Sequence, residues 1–352
     1  MLHRKQYRVA TGVTIMVLAL TLTACGIQEN TGSTESVKST ETVESIETVE
    51  NTETVESIET MESTETIENV EIIGAMASES VAPQGTANVT PQVQPVEYTD
   101  LQQITLDSTW EYADHSKINS GAAVLYPASE ESGRKGIVIG VNAGHGTSGG
   151  AKVKTLCHPD GSAKVTGGST AAGATEAAAV SGGMTFQDGT PEREVTLRMA
   201  QILRDKLLSS GYDVLMLRDS EDVQLDNVAR TVICNNVADC HIALHWDSGD
   251  GKNYDKGCFY ISVPEALKNM EPVASHWQQH DTLGTDLVEG LREQGAMIYG
   301  KGNMSIDLTQ TSYSTIPSVD MELGNAYSDH SDEVLEQLAI GLLAGINTYF
   351  EQ

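Results

Sequence analysis

The sequence predicts an α/β fold: a single domain over residues 134–352 with a largely parallel or mixed sheet flanked by helices. Short apolar runs of buried-strand type recur there, and between them lie longer segments whose apolar residues repeat at helical spacing. That alternation is the signature of strands covered by crossover helices. A third observation puts chemistry on the scaffold, because histidines and glutamates stand where strands end and where a helix begins.

The first strand is Gly136-Ile137-Val138-Ile139-Gly140-Val141. A helix is expected over 191–211, with Val195, Met199, Ile202 and Leu203 on one face. Pro191 suits its first turn and Gly211 its C-terminal cap. Residues 212–217 read as the next strand, and 225–235 as a helix carrying Val228, Ala229 and Val232. Residues 240–246, 258–263 and 316–323 complete the strands. The last helix, 329–350, carries Val334, Leu335, Leu338, Leu342 and Ile346.

Upstream the chain is of a different kind. Arg4, Lys5 and Arg8 precede an uncharged, mostly apolar stretch over 9–24, short for a membrane span and right for a secretory signal, which sets a signal peptide at 1–24. From Glu35 to Glu71 a glutamate recurs every third residue, except where Lys38 takes the place. A period of three matches neither helix nor strand, and like charges a turn apart repel, so disorder is expected. Acidic tracts of this kind also serve as interaction tails.

Residues 25–133 are therefore expected to be a tether, about 100 residues with a typical end-to-end distance of roughly 50–60 Å. Within it, residues 101–133, with Trp110 and Tyr112, could instead pack on the domain as an extra strand or helix. The tract holds twelve Glu against one Lys, −11 of a formal net charge of −29. Such a chain offers no electrostatic case for nucleic acid, and none for docking by charge to anionic lipid.

Four residues carry the chemistry: His145 in Ala143-Gly144-His145-Gly146 past the first strand, Glu192 opening a helix, and His245 and Glu322 ending strands. Ligands of open α/β sheets sit at the carboxyl ends of strands, where these residues converge. Two histidines and one glutamate form a known ligand set for catalytic zinc, which leaves one position for water. Glu322 would then be a non-ligand carboxylate. Singly, each has a plainer reading: an exposed histidine, a carboxylate favoured by a helix N-terminus, a core histidine, a surface glutamate.

The pattern resembles the zinc-dependent N-acetylmuramoyl-L-alanine amidases of the amidase_3 type over residues 134–352. Four segments carry the match: Ile137-Val138-Ile139 leading to Gly144-His145-Gly146; Glu192-Arg193-Glu194-Val195-Thr196-Leu197; Asn235-Asn236-Val237-Ala238-Asp239 running into Ala243-Leu244-His245; and Pro317-Ser318-Val319-Asp320-Met321-Glu322-Leu323-Gly324. Arg218, Leu225 and Arg230 also fit. The resemblance implies that His145, Glu192 and His245 ligate Zn2+ and that Glu322 is the catalytic glutamate. It also implies the substrate bond, the peptidoglycan amide between the lactyl group of N-acetylmuramic acid and L-alanine.

Leu22-Thr23-Ala24-Cys25 similarly resembles a bacterial lipobox, whose cysteine becomes lipid-modified and is left as the mature N-terminus. An ordinary signal peptide with a chance cysteine is the plainer alternative. Two or more acyl chains anchor stably where one does not. The lipobox implies an enzyme held on the extracytoplasmic face of the membrane, facing the cell wall; the long tether favours a Gram-positive cell, while Gly26 after the cysteine would permit outer-membrane sorting too.

Four positions depart from the family pattern: Asn142 where an aspartate is usual, Trp246 and Asp247 after the second histidine, and Asn325 in place of an aromatic. The largest departure is the Gly-, Ala-, Ser- and Thr-rich stretch 151–190, read as a lid or substrate-selecting loop or else a tolerated insertion. His276 and His280, four apart, could share a helical face as a rival site, but Trp277 stands where the His-Glu-x-x-His motif needs its base. His241 shares a strand face with His245 and is a candidate to support a ligand, while His158 has no assigned role. Cys157, Cys234, Cys240 and Cys258 remain; Cys234 and Cys240 read as buried small hydrophobes. Two rival functions stand beside the amidase: a zinc peptidase cutting within the stem peptide, and a peptidoglycan-binding lipoprotein with a retired amidase fold.

Overall fold

The computed structural model describes residues 98–248, 251 and 253–351. The expected signal peptide, Cys25 and the acidic tract lie outside the described residues. In chain order the elements are β1 (Gln102–Ile104), β2 (Ala123–Tyr126), β3 (Val138–Ala143), β4 (Lys154–Leu156), β5 (Glu176–Ala178), α1 (Glu192–Ser209), β6 (Asp213–Met216) and α2 (Asn227–Val237). They continue with β7 (Cys240–Asp247), β8 (Cys258–Ser262), α3 (Val273–Glu293), β9 (Ile298–Ser305), α4 (Thr309–Tyr313), β10 (Ser318–Asn325) and α5 (Asp332–Phe350).

Eight strands form one sheet in the order β1-β2-β6-β3-β7-β10-β8-β9, and β4 and β5 pair separately. The centre, β6-β3-β7-β10, is parallel. Strands buried on both faces favour apolar residues, which made β3, β6 and β7 legible as apolar runs, whereas β10 alternates Val319, Met321 and Leu323 with Asp320 and Glu322. β2 and β8 flank this centre antiparallel, giving the mixed, mostly parallel sheet that the alternation predicts.

Residues 101–133 supply extra strands to the domain rather than more tether: β1 and β2 extend the sheet beyond β6. Their junction with α1 is a stack in which the Arg204 guanidinium lies 4.6 Å from the Tyr98 ring centre and 4.8 Å from that of Tyr126. Arg204 also bonds Asp205 at 2.8 Å and Asp219 at 3.2 Å. A cation between two aromatic faces adds roughly 0.5–2 kcal/mol for each contact, more as water is excluded.

Five elements had no sequence expectation, β4, β5, α3, α4 and β9, and two of them complete the sheet's far edge. β9 is Ile-Tyr-Gly-Lys-Gly-Asn-Met-Ser, whose glycines read as loop, yet it pairs parallel with β8 as the sheet's last strand. The register slips between Cys258 and Tyr260, opposite Gly300 and Gly302, consistent with glycine marking irregular pairing. α3 fills the return crossover and buries Leu283, Leu287, Val288 and Leu291 in the main core.

Period-two alternation gives the sheet two unlike faces. Ile242, Leu244 and Trp246 of β7 and Val319, Met321 and Leu323 of β10 join the apolar core with α1, α3 and α5. The intervening positions, His241 and His245 on β7 and Asp320 and Glu322 on β10, share the opposite face.

Candidate metal centre

β3 ends at Ala143, and the next three residues turn sharply, with φ of +65° at His145 and +68° at Gly146. Side chains other than glycine rarely adopt this left-handed region, so surrounding bonds must hold His145 there. Arg230 donates to the carbonyls of His145 (2.7 Å) and Ala143 (3.1 Å). Arg218 donates to that of Gly144 (2.9 Å). Both guanidinium groups are buried, and burial together with neighbouring arginine charge lowers their pKa values, to about 10 for Arg218 and about 9 for Arg230. Gly144 answers a different need, because a Cβ there would lie 2.2 Å from the His245 ring.

The structure brings His145, Glu192 and His245 together. His145 Nε2 lies 2.9 Å from Glu192 Oε1, and His245 Nδ1 lies 3.1 Å from the same oxygen and 3.1 Å from His145 Nε2. One ligand atom from each residue lies within 4.8 Å of the others. Ligand atoms around a tetrahedral zinc with bonds of about 2.0–2.1 Å stand about 3.3 Å apart, so the spacing fits such an ion.

Neighbouring backbone holds the group in place. His145 Nδ1 donates to the Ser181 carbonyl at 3.0 Å, which leaves the Nε2 lone pair facing the centre. Glu192 accepts from the backbone N–H of Met184 at 2.8 Å and of Trp246 at 3.0 Å. Burial pushes the Glu192 carboxyl up, but hydrogen bonds from both histidines outweigh it and hold it well below the usual range. Burial lowers His245, but Asp320, Glu192 and Glu322 together raise it to about 10.

Glu322 pairs with His245 across the β10–β7 ladder, on the same face. Burial, with Asp320 alongside, pushes its carboxyl well up, and burial raises that of Asp320 against the opposing pull of His245. Glu322 Oε2 and Asp320 Oδ1 are buried without hydrogen-bond partners. Arg218 and Arg230 do not neutralise them, since their bonds go to carbonyl, hydroxyl and amide oxygens. Glu192, Asp320 and Glu322 put three carboxyls around two imidazoles, those of Asp320 and Glu322 pushed up by burial, and a divalent cation would supply the counter-charge they lack.

The departures from the family pattern leave this group whole. Asn142 accepts from Arg230 at 3.0 Å and so steadies the arginine that holds His145. Trp246 turns its ring to the apolar face, against Phe186. Asn325 caps its own turn by accepting from Tyr327 N at 3.0 Å.

The stretch 151–190 is folded. β4 and β5 form a hairpin, and His158, fully buried, bonds Asp307 at 2.9 Å. Lys164, Ser169, Thr170 and Ser181 then line a cavity of ≈ 100 Å³ together with His245 and Asp320.

His276 and His280 form no metal group: His280 is buried and its Nδ1 accepts from Ser318 N at 2.9 Å, fixing the start of β10. His241 lies 3.2 Å from the Asn142 amide rather than against a ligand. Cys157, Cys234, Cys240 and Cys258 are free and buried. Sequence reasoning missed Ser181, Met184 and Asp320. Only Asp320 left a signal, its position two residues before Glu322, which period two places on the same face.

An α/β sheet with a His–Glu–His group and a nearby carboxylate at the carboxyl ends of its parallel strands defines a metal-dependent hydrolase. The chain belongs to the N-acetylmuramoyl-L-alanine amidase family Amidase_3, whose model matches residues 139–343. It is an amidase acting on peptidoglycan, which places its work outside the cytoplasm. The family is zinc-dependent, and the His145–Glu192–His245 group is consistent with a metal site.

Among solved structures, the amidase Ami1 from Mycobacterium smegmatis is similar in fold, with 17% identity, a TM-score of 0.51, and coverage of 61% of this chain and 97% of its own. The Ami1 amidase from Mycobacterium abscessus aligns at 20% identity with a TM-score of 0.49, over 61% of this chain and 99% of its own. No curated protein sequence matches.

Proposed function

We propose that His145 through Nε2, Glu192, and His245 through Nδ1 hold Zn2+, and that Glu322 is the base and acid of amide hydrolysis. The observation that carries this reading is the convergence of those three ligand atoms beside a buried carboxylate. Bound there, zinc would polarise the scissile carbonyl and bring the pKa of the attacking water toward neutrality. Glu322 takes the proton that water loses as its oxygen bonds to the lactyl carbonyl carbon. It returns a proton to the nitrogen of L-alanine as the C–N bond breaks, leaving a carboxylic acid and a free amine. Ser181, Met184 and the backbone of Trp246 keep the ligand side chains aimed.

The hairpin and its buried His158–Asp307 pair make a wall that selects substrates. Its tip can be shortened without touching the ligands, whereas residues 181–184 cannot be removed. Upstream, Cys25 carries the lipid, and the acidic chain beyond it is the tether that holds the enzyme on the outer face of the membrane. The lipobox resemblance supports this part.

The test is purified protein on defined muropeptides, with and without chelator, beside Glu322→Ala. Release of intact stem peptide from muramic acid, lost in both controls, is expected; cleavage within the peptide would sink the assignment. For the anchor, Cys25→Ala should abolish labelling by a fatty-acid analogue, and unchanged labelling would refute it.

A further inference from the structure

We infer that Asp320 is a positioning residue for His245: its carboxylate receives the ring's Nε2–H and so keeps Nδ1 turned toward Glu192 and His145. This rests on reading those three residues as the metal group.

The two histidines pose the same problem. A neutral imidazole that offers one nitrogen as a ligand carries its proton on the other, and that N–H needs an acceptor to fix tautomer and ring plane. For His145 the acceptor is the Ser181 carbonyl, 3.0 Å from Nδ1. For His245 the nitrogen facing the group is Nδ1, so the proton belongs on Nε2. The acidic group facing Nε2 is Asp320, whose Oδ2 lies 3.9 Å away, an ion-pair separation that a hydrogen bond would shorten by about 1 Å.

Strand pairing aims this carboxylate. Asp320 pairs with Ala243 and Glu322 with His245, so two carboxylates stand on the sheet face that carries the ring. Asp320 Oδ1 is buried without a hydrogen-bond partner. An acid that desolvated, bonded to no lysine or arginine among the described residues, costs stability. Its worth must come from what it does to its neighbour. A carboxylate also makes an imidazole a stronger donor than a carbonyl does, so the two ligands would differ in basicity.

The experiment uses the full chain and reads zinc affinity by competition with a chromogenic chelator, alongside the melting midpoint of the metal-free protein. Asp320→Asn should weaken zinc binding about 10- to 100-fold, the usual cost of losing such a partner. The metal-free midpoint should stay the same or rise, and Asp320→Glu should recover part of the affinity. The absorption bands of the cobalt-substituted protein should shift in Asp320→Asn. Zinc affinity within twofold of native, or a fall in the metal-free midpoint that accompanies weaker binding, overturns the inference. His245→Ala separates the two levels. If it leaves zinc binding intact, the metal group itself is wrong; if it abolishes binding while Asp320→Asn does not, only the role of Asp320 fails.

Discussion

The two faces of the central sheet are made from the same strands and follow opposite rules. On one, Ile242, Leu244, Trp246, Val319, Met321 and Leu323 pack into a single apolar core under α1, α3 and α5. On the other, alternate residues of those strands are His241, His245, Asp320 and Glu322, with buried polar atoms left unpaired on His241, Asp320 and Glu322. Close packing covers the first face, where the Trp246 indole N–H is the one unpaired polar atom of those six side chains. The second packs under α2 at its β6 end, through Leu215, Ala229 and Ile233, but is left unsatisfied along β7 and β10, and that stretch separates what holds the chain together from what faces substrate.

The largest expected effect tests that separation on the polar face. Glu322→Gln should cut turnover by about 10²–10⁴-fold, the usual contribution of a positioned acid–base group, and leave the melting midpoint unchanged or higher. Turnover within a few-fold of native would remove Glu322 from the chemistry.

Next in size is Asp307→Ala, which strands His158 and Lys164 under the hairpin and should cost about 3–5 kcal/mol by the measure of broken buried ion pairs. Burial pushes the Asp307 carboxyl up, but hydrogen bonds from His158 and Val165 N outweigh it and hold it below its ordinary value. Its stabilisation is therefore complete above the unfolded carboxylate value near about 4 and fades as pH falls through the lower folded value. Melting curves of native and variant protein should converge below about pH 4. A gap that stays constant on acidification would deny the pair its charge.

On the apolar face, Leu244→Ala should cost about 2–5 kcal/mol in denaturant unfolding, with zinc affinity of the folded protein kept. Loss of metal binding at full stability would break the division between faces. The smallest effect is none: Cys157, Cys234, Cys240 and Cys258 are free, so a reductant should leave the midpoint where it is. A lowered midpoint would reveal a disulfide.

The same contrast explains what was legible in the sequence. β3, β6 and β7 stand out because burial on both sides favours apolar runs, β10 because Val319, Met321 and Leu323 alternate with polar residues, and α1, α2 and α5 because one apolar stripe repeats at helical spacing. β9 was invisible, since pairing with β8 rather than side-chain pattern makes it a strand. His145, Glu192 and His245 could be named from the order of their segments. Ser181 and Met184 could not, because they support the ligands through main-chain atoms, and a carbonyl or an N–H leaves no mark on residue type. The hairpin was hidden likewise, its anchor joining His158 to Asp307, 149 positions away.

The stack of Tyr98, Arg204 and Tyr126 has a mechanical consequence. It lies twelve residues along α1 from Glu192, about 18 Å of helix. A pull on the chain upstream of Tyr98 meets this stack and the β1–β2 ladder first, and the tension runs into the sheet margin and the far end of α1. The strand ends that aim His145, His245 and Glu322 lie beyond that path. If the chain is held upstream as proposed, strain on it reaches Glu192 only through about three turns of α1, and His145 and His245, which stand at strand ends, only through the sheet.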